Sequence, residues 1–202
     1  MRYFSVGLVI IVYLTVMLNF FLSRNKSKRI DYGKIFDEES RANAARKKEI
    51  GDEFRVAPDF GALPSGRGSP EEETALKAGR LPMMNFGKSM TNNELKLAYG
   101  AANLENITRM EENYDGFIRA MIDWAKALTA ENEPADAEAV LNETVRLRSG
   151  HSGSYTLLAD IYHARGDYAS IDALREKILS GALPFGVRKK IIAHIDGLTG
   201  RE

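Results

Sequence analysis

The segment from Tyr155 to Tyr168, YTLLADIYHARGDY, admits few folds. Its large side chains Tyr155, Leu158 and Tyr162 recur three and four residues apart, the small Ala159 stands beside Leu158, and Gly166-Asp167-Tyr168 interrupts the run. That spacing places one close-packed face on a helix and then turns the chain into a second helix. Displacing the chain by 34 residues reproduces the pattern: Met121 falls on Tyr155, Trp124 on Leu158, Ala125 on Ala159, Leu128 on Tyr162 and Ala137 on Ile171. Two units follow, Ile118 to His151 and Ser152 to Phe185. In each, large residues wedge between helices while an alanine lets two backbones approach.

The order of these residues, an aromatic, Leu-Ala, Tyr, then Gly-Asp-Tyr, with Pro184 near the end of the second helix, resembles the tetratricopeptide repeat. The resemblance covers about a third of the chain and is closer in the first helix of each unit than in the second. Arg175 stands where the family has small or apolar residues, and Asn132-Glu133-Pro134 replaces the Gly-Asp-Tyr turn in the first unit. The resemblance implies an all-α fold, a short right-handed α-solenoid of about six helices over residues 89–202, and a role in binding proteins rather than in chemistry. In such solenoids the ligand lies on the inner face, lined by the first helix of each repeat on the side away from the wedge residues. Carried onto this chain, that face is Arg119, Ile122, Asp123 and Lys126, then Thr156, Asp160 and His163. Lys126 and Asp160 stand 34 residues apart, which predicts a structural ion pair between neighbouring units.

Two units are too few to bury a continuous core, so flanking helices must complete it. Thr91 with Glu94 fits a capping box and opens a helix predicted to run to Met110. A second is predicted from Asp115 to Ala130, and a third from Pro134 until Ser149-Gly150 closes it. After the second unit, Val187, Ile191, Ile192, Ile195 and Leu198 form an amphipathic helix with Arg188, Lys189 and Lys190 outside, as a solubilising cap requires.

Tyr3 to Leu22 is a run of twenty residues without a charge, long enough to span roughly 30 Å of hydrocarbon as a helix. A cleaved secretory signal has a shorter apolar region and a small-x-small ending; this run ends Asn19-Phe20-Phe21-Leu22-Ser23, which favours an uncleaved single-pass anchor over residues 1–23. Only Arg2 precedes it, while Arg24, Lys26, Lys28 and Arg29 follow, which predicts an amino terminus outside and a cytoplasmic carboxy-terminal domain. The same four cations would face lipid headgroups at the membrane surface. Residues 24–54 are charge-dense, with a surface helix predicted from Asp37 to Glu49. Residues 55–88 hold Pro58, Pro64, Pro70 and Pro82 among several glycines and read as a flexible linker with a brief helix from Pro70 to Ala78. Within it the apolar Leu81 to Phe86 is expected to pack back on its own domain.

Composition narrows the function further. Lys plus Arg and Asp plus Glu each number 28, so net charge predicts no nucleic-acid partner. Without a cysteine, and with His151, His163 and His194 scattered, no metal or other cofactor is expected. There is no Gly-rich phosphate loop, HExxH or GxSxG motif. An enzyme would rest on carboxylates such as Glu111 and Glu112, which as helix neighbours point about 100° apart. The expected function is therefore a membrane-tethered adaptor or scaffold that binds a protein or peptide. The alternative is a structural subunit of a larger membrane complex, its repeat surface permanently occupied. Residues 91–185 carry 15 acidic and 9 basic side chains, which favours a positively charged partner, while the presence of only two repeats and the apolar Leu81 to Phe86 leaves self-association open.

Overall fold

The computed structural model describes residues 12–18, 20, 31–181 and 183–200, and its described elements are overwhelmingly helical. They are α1 (Tyr32–Asn43), β1 (Arg55–Val56), α2 (Pro70–Gly79), β2 (Met83–Met84), α3 (Asn92–Tyr99), α4 (Leu104–Ala130), α5 (Pro134–Arg146), α6 (Ser152–Ala164), α7 (Tyr168–Ser180) and α8 (Phe185–Thr199). The chain divides into one unit ending at Arg41 and a second beginning at Ala42. An all-α class holds, with the two-residue strands β1 and β2 paired antiparallel as a small addition.

In the first unit, residues 12–18 and Phe20 are helical, and every apolar side chain described there is exposed. The span expected from Tyr3 to Leu22 lies mostly outside the described residues, as does the basic cluster Arg24, Lys26, Lys28 and Arg29. Among the described residues no helix is long and apolar enough to cross a membrane. The helix predicted from Asp37 to Glu49 instead starts at Tyr32 and stops at Asn43. Beyond it the backbone of 45–48 is drawn into pairing: Lys48 N–H donates to the Tyr99 carbonyl at 2.9 Å and the Asn103 amide donates to the Lys48 carbonyl at 2.7 Å. Gly100 makes this approach feasible, because its φ is 91° and a Cβ there would lie 2.4 Å from the Arg46 carbonyl oxygen.

The second unit is organised on α4. Its apolar stripe, Phe117, Met121, Trp124, Ala125 and Leu128, is buried against α2 and β2 on one side and α5 and α6 on the other. The predicted break between Met110 and Asp115 is absent, and α4 runs unbroken for 27 residues, about 40 Å. Residues 111–114 contain no glycine or proline, whereas Gly100 with its positive φ ends α3 early. The Thr91–Glu94 capping box at the start of α3 is formed from both sides.

Helix ends repeat at the 34-residue offset: α4 ends at Ala130 and α6 at Ala164, while α5 spans Pro134–Arg146 and α7 Tyr168–Ser180. The intervening turns have the same hydrogen bonds, Glu133 N–H to the Leu128 carbonyl and Asp167 N–H to the Tyr162 carbonyl, both 2.9 Å. Asn132 (φ 62°) occupies the left-handed position that Gly166 (φ 73°) fills in the second hairpin. Asn132-Glu133-Pro134 therefore makes the same turn as Gly166-Asp167-Tyr168, since asparagine tolerates that conformation better than other side chains. All five residue pairs that the offset aligns are buried. Arg175, the misfit in the second hairpin, reaches α8 and bonds Asp196 at 3.1 Å.

The Pro- and Gly-rich residues 55–88, expected as a flexible linker, pack onto this unit. Two buried carboxylates fasten them. Glu72, 3 % exposed, accepts the N–H groups of Gly66, Arg67 and Gly68 at 2.5, 3.0 and 2.9 Å, and Ser69 caps α2 by accepting the Glu72 N–H. Glu143 of α5, 4 % exposed, accepts the Asp59 N–H at 2.7 Å and is clamped by Arg146, whose guanidinium also donates to the Ala57 carbonyl. Between these ties Leu63, Ala75, Met83 and Met84 supply apolar contact, and Phe54, Phe86 and Tyr99 form a ring cluster with centroids 4.8 to 6.3 Å apart. Of Leu81 to Phe86, expected to pack back on its own domain, Met83 and Met84 are buried and Phe86 joins the ring cluster, while Leu81 and Pro82 are exposed.

Burial by itself raises the Glu72 carboxyl, but the backbone donors at Gly66, Gly68, Arg67 and Ser69 prevail and hold it below its ordinary value. A lowered carboxyl pKa contributes stability that is present above the unfolded value and is lost as pH falls through the folded one. Glu72→Gln should therefore cost about 1–3 kcal/mol at neutral pH in denaturant titrations. The gap from wild type should close as the titration is repeated down to about pH 3.

Candidate functional site

The face implied by the repeat pattern is built by α4 and α6. Arg119, Asp123 and Lys126 are exposed on α4, and Thr156, Asp160 and His163 are half-buried on α6. Ile122 is different: it is buried, and its side chain lies against Gly153 at the start of α6. It belongs to the packing between the two helices. The charged members do not pair as predicted. Lys126 bonds Asp123 at 2.8 Å within α4, and Asp160 bonds His194 Nε2 at 2.6 Å, so the ion pair expected between Lys126 and Asp160 is not made. The reason is distance along the chain: Asp123 lies one turn from Lys126, while α8 brings His194 against α6.

A second Asp–His contact joins α4 to the residue that precedes α6. Asp115 accepts from His151 Nε2 at 2.5 Å with one oxygen and from Arg119 at 2.5 Å with the other. His163 sits edge-on to Tyr168, with ring centroids 6.0 Å apart. Of the two carboxylates considered for chemistry, Glu112 is exposed and Glu111 is half-buried, its carboxyl raised by burial.

Next to the Asp115–His151 contact opens a cavity of about 490 Å³. Its apolar wall is Tyr114, Val145, Tyr155, Ile178, Leu183 and Pro184, and Lys88, Arg148 and Lys177 bring charge to it. The turn from α5 to α6 forms one side and is pinned at three consecutive carbonyls. Tyr114 Oη donates to Leu147 O at 2.9 Å, the Asn85 amide to Leu147 O and Arg148 O at 3.3 and 3.4 Å, and Tyr155 Oη to Ser149 O at 2.8 Å. Arg148 holds a left-handed backbone, φ 61°, at the end of α5.

Periodicity alone did not reveal this cavity, because its lining comes from helix ends and from segment 85–89. Two signals were nevertheless present. Ser149-Gly150 and Gly181 mark the turns that frame it, and Tyr155, assigned to packing by its spacing, carries a hydroxyl that needs a partner when buried. Family models, curated proteins and solved structures yield no match to this chain.

Burial pushes the Tyr155 phenol up to about 12, and burial followed by the neighbouring Tyr155 raises Tyr114 as well. A raised phenol pKa contributes stability that is complete below the unfolded value, near 10, and is lost as pH rises through the folded one. In an ultraviolet titration, Tyr155 and Tyr114 should ionise after most of the 8 tyrosines, and Tyr155→Phe should remove one of the delayed groups. The same variant should cost about 1 kcal/mol through loss of the bond to Ser149 O.

Proposed function

We propose that this chain is a membrane-tethered interaction module, an adaptor or scaffold that binds a protein or peptide along the α4–α6 face. The observation that carries the reading is the separation of roles on α4 and α6. Met121, Trp124, Ala125, Leu128, Tyr155, Leu158, Ala159 and Tyr162 are buried at a 34-residue repeat, while Arg119, Asp123, Lys126, Thr156, Asp160 and His163 between them keep access to solvent. Residues spent on packing leave their helix neighbours free for a partner. The register of the hairpins supports reading them as tetratricopeptide-like repeats in a short α-solenoid, with α3 before them and α8 as the cap.

The tether rests on the uncharged run Tyr3 to Leu22 and on the exposed apolar side chains of 12–18. A helix that is apolar all round needs an apolar surrounding, and a bilayer supplies one. The cations after the run favour a cytoplasmic second unit. Tethering raises the local concentration of whatever the module holds, so modest affinity suffices. A stable subunit of a larger membrane complex would use the same face with a longer lifetime.

In a pull-down with the full chain, the combined substitutions Arg119→Ala, Asp123→Ala and Asp160→Ala should release co-purifying protein without altering the helical circular dichroism. Unchanged capture would refute the choice of face. Protease added outside intact cells should leave the second unit uncut, and digestion from outside would reverse the orientation.

A further inference from the structure

We propose that the cavity beside the α5–α6 turn is a binding site for a compact organic carboxylate with an apolar body, distinct from the adaptor face apart from the Asp115–Arg119 pair that the two share. Its volume of about 490 Å³ falls within the span of small-molecule pockets, roughly 300–1,000 Å³. The wall is largely apolar and demands an apolar occupant. The charge around it is cationic, against the acidic background of the surrounding helices.

The electrostatics follow from which groups are already engaged. Asp115, the one carboxylate in the lining, is neutralised by Arg119 and hydrogen-bonded to His151. Arg148 and Lys177 have no carboxylate partner among the described residues, as is also true of Arg46, Arg80, Arg109 and Arg188 of the same unit; Arg148 and Lys177 are set apart by lining the cavity. Lys88 adds a third cation, whose field also reaches Glu94. An anion entering here meets charge that the protein does not itself satisfy. A carboxylate suits the Arg148 guanidinium, whose planar fork of donors matches two oxygens.

Arg148 is also held in place in an unusual way. Glycine or asparagine is the ordinary occupant of a left-handed position after a helix, and Asn132 and Gly166 fill the comparable positions after α4 and α6. At the cavity that position is an arginine, with its own carbonyl and those on either side bound by Asn85, Tyr114 and Tyr155. Strained backbone that the surroundings hold firmly is characteristic of binding sites. The turn fixes the root of the guanidinium before any ligand arrives.

The test uses the full chain in phosphatidylcholine nanodiscs, titrated calorimetrically with naphthalene-2-carboxylate and with its neutral carboxamide. The carboxylate should bind saturably at one site per chain, and the carboxamide at least about tenfold more weakly. Arg148→Gly suits the left-handed backbone, so its melting temperature should equal or exceed that of wild type while carboxylate affinity falls about tenfold. Lys177→Gln, at an exposed position, should weaken binding severalfold, and Lys126→Gln on the adaptor face should leave it unchanged. Equal affinity for carboxylate and carboxamide would overturn the proposal. So would absence of saturable binding, or wild-type affinity in both cavity variants. Tighter binding of acetyl-Phe-Glu-amide than of naphthalene-2-carboxylate would overturn the small-molecule assignment in favour of an acidic peptide. Loss of carboxylate binding in Arg148→Gly with protein capture intact would separate this site from the adaptor face.

Discussion

Burial of one stripe of α4 is the constraint on which the second unit depends. Phe117, Met121, Trp124, Ala125 and Leu128 are almost completely removed from solvent, and α2, β2, α5 and α6 all pack on this helix. Large side chains supply the apolar area, and Ala125 with its counterpart Ala159 keeps neighbouring helices close. The same helix carries Tyr114 and Asp115 to the cavity and Arg119, Asp123 and Lys126 to the exposed face proposed for a partner. Packing and both proposed sites therefore share one stiff element, and a change that shifts α4 would be felt at each.

Where apolar residues are sparse, carboxylates take over the fastening. Residues 55–88 are rich in proline and glycine and form little regular structure outside α2, yet Glu72 and Glu143 collect backbone donors from 59 and 66–68 and hold the segment down. A buried carboxylate is tolerable only when its oxygens are satisfied, and here both are supplied with donors. Each tie is costly to break, because a charged acceptor and several amide donors would lose their partners together.

Turns in this chain serve as helix stops and as sites. After α4 and α6 the left-handed position is filled by Asn132 and Gly166, residues that adopt it readily, and these turns reverse the chain into the next helix. After α5 the position is Arg148, and the turn borders a cavity. The turn after α5 thus places a conformationally costly residue where the turns after α4 and α6 place tolerant ones.

By itself the sequence determined what short-range chemistry controls. The spacing of Tyr155, Leu158, Ala159 and Tyr162, its recurrence 34 residues earlier, the Thr91–Glu94 capping box and the helix starts at Pro70 and Pro134 are all local, and each is present in the structure. Tertiary structure decided the rest, because it depends on residues far apart in the chain. Asp59 meets Glu143 across 84 positions, Asp160 finds His194 rather than Lys126, and Arg175 finds Asp196. The unbroken course of α4 through 111–114, by contrast, follows from the absence of glycine and proline there, a local signal that the expectation of two helices passed over. The cavity belongs to the tertiary class: helix ends and the 85–89 segment, which share no periodicity, line it only after α4 has gathered the other helices around its buried stripe.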